Sequence, residues 1–577
     1  MNELQVGKES VKKILSEKSK NYLIPEYQRP YEWDEDKCKT LWDDILNFAM
    51  PENNPDKFKE NDEYFLGSIV TFNNETENSL EVIDGQQRIT TILLLLRAIY
   101  NKLEPAEDKQ SQYIKKEIEP CIWQTSGIPP EPQKDKIKIS TKVATDKDRE
   151  AFISILKTGS IIGKDIYSRN FQYFKEWVDE YVTTYPVQFY TLCDRILKNC
   201  IFFPIECSSQ DVALRIFTTL NDRGMPLADS DIFKAQLYKF YNTKNKQDDF
   251  IKQWQELSEI CDDIIKNQKT NQNTIDEIFT LYMYWLRADE GIKDTTVPGL
   301  RKYFEHNQYE RLKKYNVVND VISLANFWEI LTNKYTPNEM EISEKALKYI
   351  HALDNFPNNF WKYNLTVYFF ANKDNDDKLD DNFTDFIRKT LAFCFVSYIT
   401  KPGISYLKNG SIPVFGNIAK RDTFNYPIFK EEDFARGFRN IYTQSKYMIK
   451  PILLWEAYSI DEQVLIGEKT KTEIEHILPK HWKSSSYKEW KKDDATEYLE
   501  KIGNKIILDK KTNIQAGDGF FKEKKNRWYN SSPIKVVNKL AEEYPHEDWI
   551  KEDIEKRENN LLNAFVAFAK QYGIIEN

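Results

Sequence analysis

Two short strings in the last quarter of the chain carry its densest chemistry: residues 472–482 (TEIEHILPKHW) and 502–513 (IGNKIILDKKTN). The first sets a carboxylate beside an imidazole, just ahead of an apolar pair and a proline. An imidazole with a pKa near 6.5 can take a proton from water at physiological pH. That role contributes roughly 10²–10⁴-fold to a hydrolysis. Glu475 and Asn513 are hard oxygen donors, which suit Mg²⁺ or Mn²⁺ better than a thiolate-seeking metal. An activated water, a stabilised phosphate and a supported leaving oxygen are what phosphodiester hydrolysis requires. A lone Glu-His pair is usually a surface ion pair, and a lone Gly-Asn is a turn. Their order gives them weight, with Asn513 lying 37 positions after His476. His481 reads as a surface residue, and His306, His351 and His546 stand outside any such group.

A second set lies near the start: residues 24–33 (IPEYQRPYEW) and 82–91 (VIDGQQRITT). The second string reads as a strand that runs straight into a helix. Gly85 would let the backbone approach a ligand, and a helix start offers unpaired N–H groups to an anion. Arg88 can grip a phosphate with two bonds. Gln86 and Gln87 supply amides, and Asp84 can hold a metal or orient water. The alternative is that Asp84 caps the helix and Arg88 is a surface charge. A Walker A loop is absent, because no Gly-rich run ends in GKS or GKT.

The elements that must position these residues follow from periodicity. Strands are expected near 22–24, 63–72, 80–83 and 200–206, with helices over 34–48, 89–103 and 212–220 and another starting near Asp229. Gly224 and Pro226 are placed to end the third of these helices. Residues 104–148, rich in Lys, Glu and Pro, read as an insertion or exposed hairpin. From 240 to 458 the pattern is helical, aromatic and free of chemical motifs, with an acidic loop at 372–381. Around His476, short strands at 474–477 and 506–508 precede a stretch that becomes helical after Asn513. That outlines a ββα-metal arrangement. A last helix is expected over 548–571.

A chain of 577 residues is too long for one core. With 30% charged residues and only 18 glycines it reads as globular rather than disordered or loop-rich. Its net charge of −9 argues against a general nucleic-acid coat. Residues 468–527 are locally basic, however, with 15 Lys and Arg against 11 Asp and Glu, as a confined phosphate site would need. Seven cysteines without a CxxC pair point to reduced, buried thiols, not a zinc ribbon or disulfide frame. The polar N-terminus and the lack of a membrane-length apolar run predict a cytoplasmic protein without a membrane partner.

The C-terminal strings resemble the HNH nuclease domain of GmrSD-type restriction enzymes, in which a (D/E)HxxP element precedes GNxxxL and a later Asn. The resemblance implies that His476 is the general base and that Asn504 holds the histidine loop within the catalytic set. Glu475 and Asn513 would be metal ligands for Mg²⁺ or Mn²⁺, and Lys522 and Lys525 would meet DNA phosphates. The N-terminal strings, with YFLGSIV at 64–70 and IFTTLNDRGMPLADSDIFK at 216–234, resemble the ParB-like domain of the same family. By that likeness Asp84, Gly85, Gln86, Gln87 and Arg88 form the core of a nucleotide site. Tyr27, Gln28 and Arg29 would lie beside it, with Asn221 and Arg223 as weaker candidates. Tyr31 and Trp33 read equally well as core packing.

The expected fold class is therefore α+β, multidomain and mostly helical. Residues 1–240 would form the ParB-like nucleotide-binding domain, 241–460 a helical connector, and 461–577 the HNH nuclease domain with flanking helices. The expected function is a nucleotide-regulated DNA endonuclease of the type IV restriction class, cutting double-stranded, modified phage DNA. The nucleoside triphosphate (GTP, ATP or another) and a homo-oligomeric state stay open. Two rivals remain: a nucleotide-dependent regulatory or DNA-binding protein, and a toxin-like nuclease acting on RNA or host DNA.

Overall fold

The computed structural model describes all residues except 1–3, 19, 75–77, 144–145, 222–227, 269–273, 315, 336–339, 375–377, 380–381, 468–469, 483–486, 488–489 and 577. Arg223, Gly224, Pro226 and the side chain of Asn221 therefore lie outside the described residues, as does part of the acidic loop. The chain divides into two compact units, Met1–Ile251 and Lys252–Asn577. The architecture is mixed α+β and mostly helical.

The first unit is built on a seven-stranded mixed sheet. Its order is Leu4–Val6, Cys200–Cys207, Tyr64–Asn74, Ser79–Asp84, Tyr22–Ile24 and Ile139–Thr141, with Glu9–Ser10 also pairing with Cys200–Cys207. The long strand Tyr64–Asn74 runs parallel to Cys200–Cys207 and antiparallel to Ser79–Asp84. Ser79–Asp84 in turn runs parallel to Tyr22–Ile24. Helix Gln86–Leu103 is apolar almost all round and buries Ile89, Ile92, Leu93, Leu96 and Tyr100 in the core, as its periodicity requires. Tyr31 is buried in that core and stacks on Tyr167, 5.0 Å between ring centroids, so here it is packing. Residues 104–148 do contain a hairpin, Trp123–Ser126 with Glu131–Ile137. They also hold a helix, Lys109–Ile122, that buries Ile114, Ile118 and Cys121 and belongs to the core. That stretch is more integral than its polar composition suggests.

The second unit is helical from residue 252 to Tyr458 and continues into the histidine segment and the closing helix Lys551–Gln571. The stretches expected as connector and as cutting domain thus share one compact unit. Its only sheet among the described residues pairs Thr472–His476 antiparallel with Lys505–Asp509. Helix Lys510–Ala516 follows at once, started by the Asp509 carboxylate, which accepts the Thr512 N–H at 2.9 Å. The helix therefore begins before Asn513 rather than after it. All seven cysteines are free and buried. Among the described residues no helix is long and apolar enough to cross a membrane.

Candidate functional site

The histidine loop is held from below by one asparagine. Strand geometry sends Glu475 and His476 to opposite faces. After His476 the chain turns at Ile477, Leu478 and Pro479. Asn504 is fully buried beneath that turn. Its Oδ1 accepts from the Leu478 N–H (2.8 Å) and the Trp549 indole N–H (3.1 Å), while its Nδ2 donates to the carbonyls of Leu478 and Leu499. Its own carbonyl accepts the Ile477 N–H at 3.0 Å. Every polar atom of Asn504 is thus satisfied inside the protein, and its amide is turned to the loop. The preceding Gly503 is required for a packing reason: a Cβ there would lie 2.1 Å from the Ile554 carbonyl of the closing helix.

His476 faces Lys505, its cross-strand partner, and Glu500. Its Nε2 lies 3.6 Å from the Glu500 carboxylate and has no hydrogen-bond partner among the described residues. Glu500 is instead drawn to the buried Lys505 ammonium. Burial, aided by the Lys505 charge, pulls the imidazole pKa down to about 4 against the opposing effect of Glu500. The ring is therefore neutral at physiological pH, the form that accepts a proton.

Glu475, expected as a metal ligand, turns into the protein and is nearly inaccessible. Its Oε1 accepts from the Lys524 ammonium (2.6 Å) and the Tyr529 hydroxyl (2.8 Å). Burial pushes its carboxyl pKa up, opposed by Lys524. Lys524 also donates to the carbonyls of His476 (2.9 Å) and Ile477 (3.3 Å), so this ion pair braces the histidine backbone. Asn513 donates to Glu473, not to Glu475, at 3.1 Å. So disposed, Glu475 and Asn513 do not fit a shared metal ion. Among the described residues no group of three or more His, Cys, Asp or Glu forms a cage either.

The two lysines expected at DNA phosphates differ. Lys522 is half-exposed and pairs with Glu547 at the surface. Lys525 is a correction: it is buried and donates to the backbone carbonyls of Tyr544 and His546, so it is not presented to a phosphate. Glu500, Lys505, Lys524, Tyr529 and Trp549 were not singled out from the sequence. Their proximity to His476 depends on strand register and on packing between distant segments, which leave no local pattern.

In the first unit all eight expected residues converge where strand Ser79–Asp84 meets its helix. Gly85 adopts φ +89°, and a Cβ there would press on the Ser68 carbonyl at 2.8 Å. The Arg88 guanidinium bonds the Ser68 carbonyl (3.1 Å) and pairs with Asp84 (3.3 Å). Gln86 and Gln87 donate to the carbonyls of Arg29 (3.1 Å) and Pro30 (2.8 Å), and Gln87 also accepts the Glu32 N–H. Gln28 donates to the Ile83 carbonyl, and the Tyr27 hydroxyl donates to Glu81. The glutamines thus lock the two N-terminal strings together. Arg29 pairs with Asp231 at 3.0 Å, and the Lys234 ammonium, its pKa lowered by burial to about 8, reaches the Gln28 carbonyl. Gly67 was missed by sequence reasoning. At φ +121° it clears the space for Arg88, since a Cβ would lie 1.8 Å from Nη1.

Comparison with known protein families settles what these two sites belong to. The family model described as the GmrSD restriction endonuclease N-terminal domain matches residues 11–238. That of the GmrSD restriction endonucleases C-terminal domain matches residues 429–564. The chain belongs to the GmrSD restriction endonucleases. The two GmrSD matches together take in more than half of it, in the order expected. Membership makes it an enzyme of the type IV class, with a nuclease C-terminal domain and an N-terminal domain associated with NTP hydrolysis. GmrSD identity also implies use of a nucleotide and a metal. The C-terminal match begins at 429, inside the helical stretch, and so includes helices Glu431–Arg439 and Ile449–Tyr458. No curated protein matches the chain.

Proposed function

We propose that the second unit hydrolyses phosphodiester bonds of foreign, modified double-stranded DNA with His476 as general base, under control of a nucleoside triphosphate held at the Asp84–Arg88 turn of the first unit. The observation that carries this reading is the His476 imidazole, neutral and with a buried, unpartnered Nε2, on a strand clamped by Asn504 and Lys524. Nε2 takes the proton of the attacking water, and Lys505 and Glu500 set the charge around the ring. Catalytic hydrogen bonds in substrate-free enzymes are often long and tighten on binding, as the 3.6 Å separation from Glu500 allows. Family membership implies a metal, but Glu475 and Asn513 share no site, so no step of the hydrolysis is routed through one here.

At the other site Arg88 would meet a phosphate at the helix start, with Asp84 and the Gly67 gap fixing its direction. Gln86, Gln87, Tyr27 and Gln28 act by holding the segment around Arg29. The test is digestion of modified and unmodified DNA, with RNA alongside, by the wild-type chain and His476→Ala. Wild type is expected to cut modified DNA and the variant to cut nothing while staying folded. Full-rate cutting by His476→Ala would remove the assignment.

A further inference from the structure

The second unit holds a cleft of about 510 Å³ that none of the sites above uses. It is lined by Lys446, Lys450, Tyr398, Tyr447, Asn355 and Ile474. Ile474 ties it to the chemistry. It lies two residues before His476 on the same face of the same strand, so their Cα atoms are about 7 Å apart at the usual rise of a strand.

Neither Lys446 nor Lys450 is in an ion pair among the described residues, although Lys450 feels the Glu473 carboxylate. Lys450 is half-buried, so a cation is held in partly desolvated space, with the Glu473 carboxylate beyond ion-pair distance. Tyr447 is strongly exposed at 68%, and Tyr398 adds a second aromatic ring. Asn355 donates its Nδ2 to the His351 carbonyl, which leaves its amide oxygen as an acceptor without a protein partner among the described residues. Upstream on the same segment, the exposed Tyr442 covers the ammonium of Lys505, the cross-strand partner of His476.

We propose that this cleft seats one nucleotide of the substrate, turned out of the DNA stack beside the bond to be cut. A cleft of this size takes a single small ligand rather than a duplex. Aromatic rings beside lysines are how proteins hold an unstacked nucleotide: the base stacks and the phosphate meets the ammonium groups. The Asn355 oxygen can accept from an exocyclic amine at the base edge. A base turned out in this way exposes its whole edge to the protein, which gives a modification-dependent enzyme a place to distinguish one base from another. The inference rests on the His476 reading above.

The test uses the full chain carrying His476→Ala and two short duplexes, one fully paired and one with a single mismatched pair, whose bases leave the stack easily. The parent is expected to bind the mismatched duplex more tightly and to cut neither. Adding Tyr447→Ala should weaken mismatched binding roughly tenfold or more, with a much smaller effect on the paired duplex. Tyr447→Phe, which keeps the ring, should restore it. Lys450→Met should lower the salt dependence of mismatched binding by about one ion. Equal losses on both duplexes, or none, would overturn the cleft assignment while leaving His476 in place. A parent that still cuts DNA would overturn the His476 reading itself and the cleft with it.

Discussion

The Glu475 carboxylate lies 2.6 Å from the Lys524 ammonium, with Lys524 fully buried and Glu475 nearly so. The same ammonium holds the carbonyls of His476 and Ile477. Removing one member of a buried pair leaves an uncompensated charge and costs about 3–5 kcal/mol. Lys524→Met should therefore lower unfolding stability by about that amount and slow DNA cleavage. The double variant Glu475→Leu/Lys524→Met should recover most of the stability, because both charges are then gone. Urea denaturation of the two variants beside wild type measures this. A Lys524→Met protein as stable as wild type would mean that Glu475 is held elsewhere.

Metal use is implied by the family, while Glu475 and Asn513 do not share a site here. Chelation by EDTA should stop cleavage, and Mg²⁺ or Mn²⁺ should restore it. Asn513→Ala and Glu473→Ala, which break the same hydrogen bond, test that pair as donors: a raised metal requirement in both variants, measured by titrating Mg²⁺ against cleavage rate, places the ion beside it. Cleavage unaffected by EDTA would exclude a required ion.

Gly67 and Arg88 stand 21 positions apart and share one space. Gly67→Ala should push the guanidinium away from Ser68 and Asp84 and add backbone strain of roughly 1–3 kcal/mol at its positive φ. Arg88→Ala should cost on the order of 1.5–3 kcal/mol of nucleotide affinity, about ten- to a hundredfold. Both variants should lose triphosphate turnover while His476 chemistry persists in a nucleotide-independent assay. Calorimetry showing wild-type affinity in Arg88→Ala would leave Arg88 as a structural partner of Ser68 and Asp84.

His351 is half-buried against the Tyr458 hydroxyl, 2.5 Å from Nδ1, and burial pulls its pKa down to about 4. Between its unfolded value near 6.5 and that folded value, the unfolded chain binds a proton that the folded protein refuses. Stability therefore falls as pH drops through this window, and His476 acts in the same direction. His351→Gln keeps a polar partner for Tyr458 without titrating. Its unfolding free energy should fall less steeply from pH 6.5 to 4 than that of wild type. Identical slopes would show that His351 is not held neutral.

The amino-acid sequence by itself determined the order of the two sites, the strand–glycine–helix turn at Asp84–Arg88 and the family. Those features rest on short-range rules: a glycine at positive φ, a period-2 strand, a run of apolar residues at helical spacing. Tertiary structure alone decided which carboxylate faces inward. Period 2 says only that Glu475 and His476 point opposite ways, and the choice of face was made by Lys524, 49 positions further on, and by Tyr529. The same holds for Lys525, basic on paper but drawn inward by the carbonyls of Tyr544 and His546. It holds also for Gln86 and Gln87, whose partners lie in a string more than fifty residues upstream. Long side chains have enough reach to bury or expose their charge. Which they do depends on unpaired backbone groups supplied by distant segments, and no local pattern records where those will be.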